Sequence, residues 1–73
     1  VIHGYAEDAR RLTPRMSDVL AAGARGLTID QTAAELRLAE STVRHVRAAA
    51  VERLAVPNFT AAVAAFVRRE VSQ

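Results

Sequence analysis

The stretch that decides the reading is Thr28-Ile29-Asp30-Gln31-Thr32-Ala33-Ala34-Glu35-Leu36-Arg37-Leu38-Ala39-Glu40-Ser41-Thr42-Val43-Arg44-His45-Val46-Arg47. Thr28 can cap free helical amides, and Gln31, three residues on, completes the pattern of a capping box. Ile29, Thr32, Ala33 and Leu36 then share one side of a short helix over about 29–36. Arg37 and Leu38 make a tight connection. A second helix follows over about 40–54 and stops before Val56-Pro57, because proline disfavours helix at the residue before it.

Two short helices joined by so brief a turn have the geometry of a helix-turn-helix, whose second helix lies in the major groove of double-stranded DNA. The composition of that second helix agrees. With Val43 at zero and ~100° per residue, Val46, Ala50 and Leu54 fall within about 60° of it and form a core stripe. Ser41, Arg44, His45 and Ala48 fall on the opposite half. That face carries donors, a cation, an imidazole and a small residue, with no bulky hydrocarbon to hold it off the base edges. Arg44 is the best base-reading candidate, since a guanidinium can donate twice to O6 and N7 of guanine. His45 can donate to a purine N7 or a phosphate. Ala48 can touch a thymine methyl. Arg47 points nearer the core edge and would reach a phosphate more naturally than a base. Ser41 and Thr42, in the first turn, can also meet phosphate at the helix N-terminus. Taken alone, Arg44 and Arg47 read more readily as solvated surface charges, while Ser41 and Thr42 could be local caps and His45 an ordinary exposed histidine. Glu40 and Glu52 temper the reading, because acids are repelled by phosphate, although Glu40 in the first turn suits the helix dipole.

Bulk properties set the frame. Seventy-three residues make one small domain, and a chain this short buries only about 60% of the surface its unfolded form exposes. All ten basic residues are arginine, the residue best fitted to bidentate contacts with phosphate and guanine; a GC-rich genome would produce the same bias. The net charge of +2 identifies nothing by itself. Its distribution is more telling, for no acid lies between Ser41 and Val51. The absence of cysteine removes disulfides, thiolate metal sites and cysteine nucleophiles. The longest apolar run, Ala61 to Val67, is far too short to cross a bilayer, and no basic-then-apolar leader opens the sequence. The expected setting is the cytoplasm, at a bacterial nucleoid or in the host if phage-encoded, with no membrane partner.

Outside the deciding stretch, Thr13-Pro14 starts a helix over about 14–25 that carries Met16, Val19, Leu20 and Gly23 and stops at Gly26. Asn58 caps a last helix over about 59–71, with Phe59, Val63 and Phe66 packed on the core. Ala61, Ala64 and Ala65 leave a smooth flank where another helix could approach, or an exposed helix-favouring surface. Residues 1–11 read as a lead-in or a short extra helix, and residues 12–73 as the domain proper. The fold class is all-α, with four helices.

Leu12-Thr13-Pro14-Arg15, Val19-Leu20, Ala24-Arg25-Gly26-Leu27-Thr28, Ala33, Leu36, Leu38, Ser41-Thr42-Val43-Arg44, Leu54, Val56, Asn58 and Ala62-Val63 together resemble the LuxR/GerE-type helix-turn-helix family, without a gap, over roughly residues 12–67. The resemblance implies a four-helix domain engaged in transcriptional regulation, often dimeric on DNA through its fourth helix. It implies that Arg44, His45 and Ala48 occupy base-touching positions, and that Thr28, Thr42 and Arg47 lie at or near backbone-holding ones. Several departures mark the chain as divergent. Met16 stands where the family usually has Glu. Arg37 stands where the turn usually has Gly; it either changes the turn or carries a left-handed strain of about 1 kcal/mol, and it could add a phosphate contact. Ala39 offers no capping oxygen, a loss of roughly 1 kcal/mol. His45-Val46 also inverts the family's usual order, bringing His45 to the groove face.

The expected function is sequence-specific double-stranded DNA binding by a transcriptional repressor or activator, as a homodimer through the last helix, with RNA polymerase as a further partner. Two alternatives keep the fold and assign it another role. One is a promoter reader similar to the last region of a sigma factor, and the other is a helical protein-interaction module without DNA binding. The Val56-Pro57-Asn58 junction favours the first reading over the sigma-like one. No catalytic set, metal-ligand spacing or Gly-rich phosphate loop is recognisable, so neither an enzyme nor a cofactor is expected.

Overall fold

Local capping chemistry writes most of the helix boundaries. The computed structural model describes the backbone of residues 12–72 and the side chains of residues 12–69; the lead-in or extra helix expected before residue 12 lies outside them. Thr13 takes extended backbone angles, and its hydroxyl accepts from the Met16 amide at 3.1 Å, opening α1 (Pro14–Ala24) with Pro14 at its first position. Thr28 opens α2 (Ile29–Leu36) through a complete capping box. Its hydroxyl accepts from the Gln31 amide at 3.3 Å, and its own amide donates to Gln31 Oε1 at 2.9 Å. Ala39 precedes α3 (Glu40–Leu54) with no side-chain cap. Asn58 Oδ1 accepts from the Ala61 amide at 2.8 Å at the start of α4 (Phe59–Ser72).

Three of these helices end in the same way. Gly26, Arg37 and Ala55 each take a left-handed conformation, at φ 83°, 60° and 55°. The amide after each of them reaches back to close the last turn, in the pairs Leu27 to Ala22, Leu38 to Ala33 and Val56 to Val51. That hydrogen bond satisfies a terminal carbonyl. Only position 26 has the residue that adopts this conformation freely. Arg37 therefore keeps the turn that a glycine would make, and carries the strain.

α1 and α3 form the centre of the domain and pack on every other helix. Among the described residues, α2 and α4 flank them without helix-to-helix packing on each other. One apolar cluster gathers Met16, Leu20, Ala50 and Ala62, with Val63 and Phe66 of α4 against it. Met16, at the position where the resemblance leads one to expect Glu, is thus buried. A second cluster gathers Val19, Ala33 and Val43 under Ile29, Leu36 and Leu38. Val46 and Phe59 pack against both. An exposed polar contact links two helices, Arg25 at the end of α1 donating to the Glu35 carboxylate of α2, and Thr32 is buried. The axes of α3 and α4 differ by 64°. No single helix among the described residues is long and apolar enough to cross a membrane.

α1 and α4 meet most tightly at Gly23. A β-carbon there would lie 2.7 and 2.8 Å from Cε2 and Cζ of Phe59, and 3.0 Å from a methyl of Val63. The missing side chain is what lets α4 rest on the backbone of α1. Gly23→Ala should therefore destabilise the domain by about 1–2 kcal/mol in chemical denaturation, because overpacking outweighs the gain in helix propensity; a more stable variant would show that the two helices can part at little cost. Arg37→Gly and Ala55→Gly should each raise stability, by about 0.5–1 kcal/mol net of the glycine's greater unfolded-state entropy. An unchanged or lower melting temperature would mean that the left-handed turns are not strained.

Candidate nucleic-acid interface

The turn of Arg37, Leu38 and Ala39 sets α3 across α2, and the core holds α3 by one side only. Val43 and Ala50 are fully buried, while Ser41, Thr42, Arg44, His45 and Ala48 are all exposed. The division follows the period of the helix, since residues a turn apart share a face. The outward face presents no side chain larger than alanine that is purely apolar.

Arg44 is not idle on this face. Its Nη2 donates to Glu40 Oε1 at 3.5 Å, one turn earlier, with both side chains more than half exposed. An exposed pair of this spacing contributes little to stability, so Arg44 can exchange Glu40 for another acceptor at small cost. His45 and Ala48 stand beside it, open to solvent.

The residues expected to hold a backbone are more varied. Arg37 is exposed at the left-handed corner of the turn, and Thr42 is exposed in the first turn of α3. Thr28 is exposed as well, but its hydroxyl is engaged twice: it accepts from Gln31 and donates to Asp30 Oδ1 at 2.5 Å. That hydroxyl bond is the main reason the Asp30 carboxyl lies below the usual carboxylate range, with backbone hydrogen bonds adding to it. Arg47 differs from the others. It is half-buried, and its guanidinium carbon lies over the Phe59 ring, 3.8 Å from the centroid. Burial pushes its pKa down from the ordinary value, although a guanidinium stays charged at any physiological pH.

Of these contacts, the Thr28–Gln31 box had its signal in the capping pattern, and the Arg44–Glu40 pair in the i,i+4 spacing of opposite charges. The Thr28–Asp30 bond is local and coexists with the capping box, since the hydroxyl donates to Asp30 while it accepts from Gln31. Phe59 lies on another helix, and no local pattern links it to Arg47. On α4, Ala62 is fully buried, Ala61 and Ala65 are half-buried, and Ala64 is exposed, with Val67 41% exposed further along. Among the described residues, no group of three or more His, Asp or Glu side chains gathers as a metal site.

Comparison with known proteins agrees with this architecture. The family model described as bacterial regulatory proteins, luxR family, matches residues 10–66. No curated protein matches the chain, and no solved structure does. The match spans most of the sequence and takes in α1, α2, the turn, α3 and the greater part of α4. The chain therefore belongs to the luxR family of bacterial regulatory proteins, as an all-α helix-turn-helix DNA-binding domain.

Proposed function

We propose that this domain reads a specific double-stranded DNA sequence with α3 in the major groove, as the DNA-binding part of a transcriptional repressor or activator in the cytoplasm. The observation that carries the proposal is the two-sidedness of α3. The helix is anchored by fully buried Val43 and Ala50, and presents Ser41, Arg44, His45 and Ala48 to solvent with nothing bulky and apolar among them. A helix in a groove needs such a face. In this reading Arg44 donates to a guanine edge after leaving Glu40, His45 and Ser41 donate to neighbouring acceptors, and Ala48 allows close approach. Thr28, Arg37, Thr42 and Arg47 hold the backbone.

The proposal extends to a homodimer formed through α4, with Ala61, Ala64 and Ala65 at the contact. Two-fold symmetry would then require two half-sites about one helical turn apart. An activating role would add RNA polymerase as a partner. The family match does not favour the sigma-like or interaction-module alternatives.

Selection of bound duplexes from a random DNA pool tests the whole reading. A recovered palindrome is the expected result, and recovery of no motif at low salt would sink sequence-specific binding. On the selected site, Arg44→Ala should cost about 1–3 kcal/mol and relax preference at one base pair. An equal loss on every sequence would demote Arg44 to a phosphate contact. Arg47→Ala should instead weaken all sequences alike and make the slope of log K against log salt shallower by about one. A change in sequence preference would move Arg47 to the base-reading set.

A further inference from the structure

We propose that Phe59 is a positioning residue for DNA binding: its ring holds the Arg47 guanidinium as a pre-oriented donor fork at the flank of α3, aimed at a phosphodiester oxygen. The inference deepens the proposed function and rests on it.

The geometry is built from three helices. Arg47 leaves α3 on its core-facing side, about 40° from Val43 at the helical period, and its guanidinium carbon comes to rest 3.8 Å from the Phe59 centroid. The ring in turn lies on the backbone of α1, with no room for even one added carbon between it and Gly23. It also packs against both apolar clusters. Phe59 is thus packed against α1 and both clusters, and the Arg47 guanidinium lies over its ring.

A cation over an aromatic face is attracted by the ring quadrupole, and that contact uses none of the in-plane N–H donors. Arg47 has no hydrogen bond or ion pair with any described residue. No buried side-chain nitrogen or oxygen among those residues lacks a partner, so these donors open to solvent. They are a flat set of donors, held over the ring and with no acceptor among the described residues, which is the geometry that bidentate phosphate recognition needs. The contrast with Arg44 is instructive. Arg44 is loosely tethered to Glu40 on the open face and can search among base edges, whereas Arg47 is held on one line along the flank, where a groove wall runs.

The functional consequence is entropic. An arginine that is already ordered loses less side-chain freedom on binding, and freeing it should weaken binding about two- to tenfold. The effect should fall on every DNA sequence alike and leave the salt slope in place, because the charge remains.

The test is a double-mutant cycle on DNA affinity. It uses the purified chain with the duplex recovered by selection and a random-sequence duplex, at several salt concentrations, and far-UV circular dichroism confirms folding at the working temperature. Phe59→Leu should weaken both duplexes about two- to tenfold without changing the salt slope. In the Arg47→Ala background, Phe59→Leu should cost nothing further. The same loss in both backgrounds, or no loss in either, overturns the inference. If Phe59→Leu does not fold, Arg47→Lys decides: it keeps the charge but not the planar fork, so it should bind more weakly with an unchanged slope, and binding equal to the unmodified chain overturns the inference. Failure of the proposed function looks different, because the unmodified chain itself would then show no salt-dependent DNA binding.

Discussion

Helix α4 can lie on α1 only because position 23 carries no side chain. That single gap on the surface of α1 admits the edge of the Phe59 ring, and the ring then touches both apolar clusters and the guanidinium of Arg47. A domain this small has few buried side chains to hold it together; Leu20, Val19 and Val43 are the largest that are fully buried. Contacts shared between clusters therefore weigh more here than in a large protein. Phe59 and Val46 are the residues that make two small cores behave as one.

The roll of α3 is governed from the same place. Val43 and Ala50 fix which side faces inward, and Arg47 on Phe59 fixes one flank. The outward face follows from these anchors. The acids near it are restrained by neighbours: Glu40 holds Arg44, and Asp30 takes the Thr28 hydroxyl. Both contacts are local, exposed and exchangeable, so the surface can change partners without disturbing the core beneath it.

Much of this was legible in the sequence because its causes are local. Thr13-Pro14, the Thr28/Gln31 box, Gly26 and Asn58 act within a few residues of themselves, and they mark helix ends in any context. The two faces of α3 were legible from periodicity for the same reason. Arg37 could be read as a strained corner because a resemblance supplied the glycine it replaces. Ala55 could not, since alanine carries no sign of a left-handed turn and Val56-Pro57 already explained the stop. The seat of Arg47 was half-legible. Its angle on the helix placed it near the core, but what it would meet there depended on Gly23 and Phe59. Their encounter is a fact of packing between distant parts of the chain, which no local pattern records.

The left-handed corners at Arg37 and Ala55 stand at the two ends of α3. Natural domains sit close to the stability their function requires, and most substitutions lower it. New side chains on the outward face of α3 would be screened by that threshold before they were screened by any partner. A chain with two relievable corners beside α3 has latent room for such changes: a glycine at either one offsets an outward-facing residue that costs the fold something. The same imperfection that strains the turn therefore leaves the domain room to change the surface that α3 presents.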